Sequence, residues 1–93
     1  MDKIKEVEVI CHYSTDGKIT PLRVKLIDAD GQRQAFAIKE YKDLSHLGAR
    51  TMPDGVYVAD NTLVYECRIS VFDHLRLIRL YYNPRSMIWK MTG

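Results

Sequence analysis

The sequence predicts an all-β domain: five or six short antiparallel strands curled into a partly closed barrel of the SH3-like or OB-like kind. Three observations carry this expectation. Apolar residues recur mainly with the period of two that a half-buried strand requires. Two Asp-Gly pairs, Asp16-Gly17 and Asp30-Gly31, sit between alternating segments and suit the positive backbone angles of tight hairpins. At 93 residues, 46% of them hydrophobic, the chain fits one domain, residues 1–93, with a single modest core.

The first strand is read from Val7, Val9, Cys11 and Tyr13 on one face, with Glu6, Glu8 and His12 on the other and Ile10 among them. After Asp16-Gly17, a second strand alternates Leu22, Val24 and Leu26 with Arg23 and Lys25. Pro21 near its start lacks an amide donor, which an edge or a bulge tolerates. After Asp30-Gly31, Phe36 and Ile38 alternate with Ala35, Ala37 and Lys39, completing a three-strand meander over residues 4–41.

Residues 42–55 break the pattern. Leu44 and Leu47 suit one helical turn, with Asp43 as N-cap and Gly48 as stop, so a small α+β fold stays open as the alternative. Pro53-Asp54-Gly55 makes a turn, and Val56-Tyr57-Val58 opens a short strand or merges through Asp60-Asn61 into the next.

From Leu63 to Val71 the alternation is clean. Leu63, Tyr65, Cys67, Ile69 and Val71 share one face, and only Val64 interrupts the polar one. A turn at Phe72-Asp73-His74 leads into Leu75–Tyr82, where the parity slips, and a β-bulge near Leu77-Ile78 would reconcile it. Asn83-Pro84-Arg85-Ser86 turns into a last strand with Met87, Trp89 and Met91 in step. The core expected from these parities is Val9, Val24, Phe36, Ile38, Tyr65, Cys67, Ile69, Leu80 and Trp89.

The segment Val9-Ile10-Cys11-His12-Tyr13-Ser14-Thr15-Asp16-Gly17-Lys18-Ile19-Thr20-Pro21-Leu22-Arg23-Val24 resembles the opening of a group of small hypothetical proteins from Firmicutes. Tyr65–Ile69 and the Trp89 strand are similar to that group in outline, and residues 42–62 depart from it. The resemblance implies a compact bacterial β-fold and supplies neither activity nor site residues.

Catalytic signals are thin. Cys11 and His12 are adjacent on a strand and face opposite ways, so they cannot share an ion. The five groups Cys11, His12, His46, Cys67 and His74 show no zinc-type spacing, and the glycines build no phosphate loop. No metal, no cofactor and no catalytic residue is expected. The charged opening Met1-Asp2-Lys3-Ile4-Lys5-Glu6 lacks a signal-peptide core, and no apolar run reaches membrane-spanning length. A cytoplasmic protein with reduced thiols and no membrane partner is the expectation.

The C-terminal end has some functional colour. After Asp73 come Arg76, Arg79, Arg85 and Lys90 with no carboxylate, interleaved with Tyr81, Tyr82 and Trp89. Arg76, Arg79, Tyr81 and Arg85 are therefore the candidate nucleic-acid-binding residues, since arginines on phosphates beside stacking rings bind single strands. Against this, Tyr and Trp pack well in any strand, alternating Arg protects a sheet edge, and the net charge is only +2. The leading functional expectation is a non-enzymatic binding module that meets a protein by strand addition or homodimerises through an exposed edge. Single-stranded nucleic-acid or RNA binding is the alternative, and a small enzyme is the third choice.

Overall fold

The computed structural model describes residues 4–27, 30–45, 49–53, 55–59, 61–71 and 73–93. Its elements are β1 (Lys5–Tyr13), β2 (Ile19–Ile27), β3 (Arg33–Asp43), β4 (Arg50–Thr51), β5 (Tyr57–Val58), β6 (Leu63–Val71), β7 (His74–Asn83) and β8 (Ile88–Thr92). Six of them close a barrel in the order β1-β2-β3-β6-β7-β8, every neighbour antiparallel, while β4 and β5 form a separate two-stranded hairpin. Short connections force antiparallel neighbours, and curling the meander until β8 meets β1 removes two sheet edges. Among the described residues there is no helix. The helical turn expected at residues 44–48 rests on Leu47 and Gly48, which lie outside the described residues, as do His46, Asp54, Asp60 and Phe72 of the other turn and site expectations.

Both Asp-Gly turns form, with φ of 85° at Gly17 and 80° at Gly31, angles that a side chain would resist. The first is reinforced locally: the Ser14 amide donates to the Lys18 carbonyl at 2.9 Å, and the Lys18 amide donates to Ser14 Oγ at 3.0 Å. The Ser14 hydroxyl also bonds the Asp16 carboxylate, which lies below its usual pKa range chiefly for that reason.

The interior is filled by Val24, Leu26, Tyr65, Cys67, Ile69, Ile78, Leu80, Tyr82, Trp89 and Met91, with Val9, Phe36 and Ile38 partly buried against them. Among the described residues Tyr65 is the largest fully buried side chain. Its hydroxyl donates to the Ile19 carbonyl at 2.6 Å, and its ring lies between those of Tyr41 and Trp89, each 6.0 Å away.

Three placements differ from the expected pattern, the first being Met87, which lies in the turn before β8 and is 71% exposed rather than in step with buried Trp89 and Met91. In β2 the register shifts opposite Ile10 and Cys11, so Pro21 is buried and Leu22 is turned outward and exposed. A bulge admits one extra residue and flips every side chain beyond it. In β7 no bulge occurs: nine consecutive residue pairs run from Leu63 and Tyr82 to Val71 and His74. Leu75, Leu77, Arg79 and Tyr81 simply share the outer face, while Ile78, Leu80 and Tyr82 point inward.

The β4–β5 hairpin explains the Val64 anomaly. Val64 and Tyr81 are directly paired across β6 and β7 on the outer face, and both are buried beneath Met52, Val58, Leu44 and Val56. Ser45 ties this lobe to the barrel, accepting from the Val64 amide at 2.9 Å, while the Leu44 amide donates to the Val64 carbonyl at 2.8 Å. The Arg50 guanidinium donates to the Leu44 carbonyl at 2.6 Å.

Candidate strand-binding edge

The basic and aromatic residues of the C-terminal hairpin do not converge. Tyr81 is only 4% exposed, so its ring is covered by the β4–β5 lobe and presents no face to a base. Arg76 and Arg79 have opposite parity on a continuous strand and point to opposite faces of the barrel wall. Arg76 donates to the Gly93 carbonyl, and Arg79 is paired at 3.2 Å with Glu66 on the neighbouring strand. Arg85 lies beyond the far end of β7, about 23 Å along the strand from Arg76 at the usual rise per residue. Arg79 and Tyr81 share the outer face of β7, whereas Arg76 lies on the opposite face and Arg85 in the turn beyond the strand. The parity of Arg76 and Arg79 was legible in the sequence; the cover over Tyr81 was not.

Neither cysteine is disulfide-bonded. Cys67 is fully buried, and burial pushes its thiol up to about 12, so it stays protonated at neutral pH and is not a thiolate nucleophile. Among the described residues no three His, Cys, Asp or Glu side chains gather into a set able to hold a metal ion. No helix there is long and apolar enough to cross a membrane.

The geometry instead singles out β1. This strand changes partners midway: Lys5–Val7 pair with Met91–Trp89 of β8, whereas Glu8–Tyr13 pair with β2. The switch arises because β8 is five residues long and reaches only Val7 before the turn at residues 84–87 begins. Among the described residues, the edge of Glu8–Tyr13 that faces away from β2 joins no ladder.

A groove of about 440 Å³ runs beside this edge, walled by Val9, Ile10, Met87, Ile88 and Trp89, with Glu6, Glu8 and Lys25 also lining it. A second groove of about 320 Å³ opens where Lys5–Val7 part from Leu26 and Ile27 of β2. The two share Glu6, Val7, Glu8 and Lys25. The second has a charged rim, with Glu8 held by Lys25 at 3.5 Å and Arg33 at 3.1 Å. The first shares Glu8 and Lys25 of that rim and adds exposed apolar side chains, Ile10 at 42% and Met87 at 71%.

Met87 also adopts a φ of 57°, the left-handed conformation that favours Gly or Asn, its amide donating to the Asn83 carbonyl at 2.8 Å. At the far end of the edge Tyr13 sits beside Cys11 and Tyr82. Its phenol is pushed up to about 12, first by hydrogen bonding with the Cys11 thiol and then by partial burial. The sequence held one trace of this site: Ile10 is the apolar residue on an otherwise polar face.

No family model, curated protein or solved structure matches the chain.

Proposed function

We propose that the protein is a non-enzymatic binding module that receives an extended segment of another polypeptide chain as an added strand along Glu8–Tyr13. The single observation that supports this most is an unladdered strand edge lying against a groove that mixes the apolar side chains of Ile10, Met87 and Ile88 with the charges of Glu6, Glu8 and Lys25. Exposed edge amides and carbonyls offer main-chain hydrogen bonds to any extended peptide, and adjoining pockets then select its alternate side chains. Each added bond contributes about 0.5–1.5 kcal/mol net, so a handful gives measurable affinity once apolar side chains are also buried. Edge strands normally carry a Lys, a Pro or a bulge of their own as protection. The outward residues here are Glu8, Ile10 and His12, and the bulge lies in β2.

The test is a displayed library of extended peptides, with binders mapped by backbone amide shifts. Enriched peptides should perturb Glu8–Tyr13 and the Met87–Ile88 wall, and Ile88→Asp should weaken them. A selection that yields no binder, or binders that map to another surface, would overturn the reading.

A further inference from the structure

We infer that the strand received by β1 is the β1 of a second copy, the two edges pairing antiparallel about a twofold axis at Ile10; this rests on the strand-addition reading above. Residues directly opposite in an antiparallel pair project to the same side of the sheet. The open edge presents Glu8, Ile10 and His12 outward, and Val9 and Cys11 inward. A twofold axis at Ile10 sets Glu8 opposite His12 of the partner subunit and Ile10 opposite the partner's Ile10. On the inward face it sets Val9 opposite the partner's Cys11. Every pair is compatible: the Glu8 carboxylate, already held by Lys25 and Arg33, keeps lone pairs for an imidazole, which donates a hydrogen bond in either protonation state, and apolar groups meet apolar groups.

Neighbouring registers lack this match. An axis at Glu8 opposes two carboxylates and an axis at His12 two imidazoles, and like groups directly opposite are unfavourable when charged. An axis at Val9 sets Glu8 against the partner's Ile10, and an axis at Cys11 sets Ile10 against the partner's His12. Half-step registers turn the inward face of one copy to the outward face of the other. The strand is self-complementary about one residue.

The other apolar edge lacks that property. His74–Leu77 of β7 lie beyond the Arg79–Thr92 rung with β8, and Leu75 and Leu77 are 63% and 52% exposed. A twofold pairing that matches Leu75 with the partner's Leu77 sets Arg76 against the partner's Arg76. At β1, by contrast, the flanks add apolar cover: Leu22 is turned outward by the β2 bulge opposite Ile10, and Met87 projects from the groove wall.

The register makes a sharp test by disulfide trapping. In a Cys11→Ser background, Cys67 remains buried and unreactive, and single cysteines are introduced as Ile10→Cys or Glu8→Cys. At the axis the two α-carbons stand about 4.5–5.5 Å apart, within disulfide range. Position 8 is displaced from its symmetry mate by four residues, about 13 Å along the strand, and is out of range. Under mild oxidation Ile10→Cys should give covalent dimer about tenfold faster than Glu8→Cys, the effect of a high local concentration.

Sedimentation of the unmodified chain should show a concentration-dependent dimer, and Ile10→Lys, a surface change whose folding is checked by circular dichroism, should abolish it. Equal trapping at both positions, or a chain that stays monomeric at its highest soluble concentration, overturns the second copy as occupant. Library peptides that still bind Glu8–Tyr13 in that case would leave the strand-addition reading standing; their absence would remove both.

Discussion

The wall made by β6 and β7 and the seam between β1 and β8 are built to opposite standards. Nine consecutive residue pairs join β6 to β7, with the inner face of that ladder against the core and the Val64–Tyr81 part of its outer face under the β4–β5 lobe. Three pairs join β1 to β8, and the strand then parts from its neighbour. A ring of strands must close somewhere, and here it closes on its shortest barrel strand. The difference separates two tasks: cohesion resides in β6 and β7, while β1 leaves backbone hydrogen-bonding groups within reach of another chain.

The largest effect should come from the wall. Ile69 is fully buried between β3 and β7, so Ile69→Ala should lose about 2–5 kcal/mol in urea unfolding. Val9→Ala, at a partly buried site of the seam, should lose clearly less. Equal losses would break the comparison.

The next effect is alkaline. Burial raises the Cys67 thiol from an ordinary value of 9.0 to about 12. A group whose pKa is raised on folding contributes stability that is complete below its unfolded pKa and is lost as pH rises toward the folded one. Stability should therefore decline from about pH 9 towards pH 12, and Cys67→Val should flatten the decline. A base titration in which the variant follows the parent chain would remove Cys67 as the cause.

A smaller effect should appear where β2 parts from β3. Tyr65→Phe deletes the 2.6 Å hydrogen bond to the Ile19 carbonyl and should cost about 0.5–1.5 kcal/mol. An unchanged unfolding midpoint would show that water serves Ile19 equally well. Smallest of all, Met87→Gly relieves a left-handed backbone and should stabilise the free protein by up to about 1 kcal/mol. The same change removes the most exposed apolar side chain of the groove wall, so it should weaken strand binding while strengthening the fold. Loss of stability instead would mean that the Met87 side chain packs on the barrel.

Much of the wall was legible from residue order. Tyr65, Cys67 and Ile69 alternate cleanly, and both Asp-Gly turns specify their own hairpins. Val64 stood out as an apolar break, but its reason required knowing that Tyr81 is its cross-strand partner and that a two-residue hairpin lies on both. Strands as short as Arg50–Thr51 and Tyr57–Val58 hold no period to read. Tyr81 was misplaced because an aromatic residue among arginines reads the same whether its face is wet or covered. Leu22 was misplaced because a bulge is a property of two paired strands. The open edge of β1 was illegible for a related reason: whether a backbone amide finds a partner depends on the length of β8, a strand 75 residues further along by start-to-end count from Tyr13 to Ile88.

Hydrogen exchange of backbone amides in dilute, peptide-free protein tests the contrast between wall and seam most directly. Amides of Tyr65–Ile69 and Arg79–Tyr82, which are paired on both sides, should exchange only through global unfolding. Along Glu8–Tyr13 protection should alternate, slow where the amide faces β2 and fast where it faces the groove. Uniform slow exchange along Glu8–Tyr13, matching β6, would mean that this edge is already satisfied and that β1 has nothing to offer another strand.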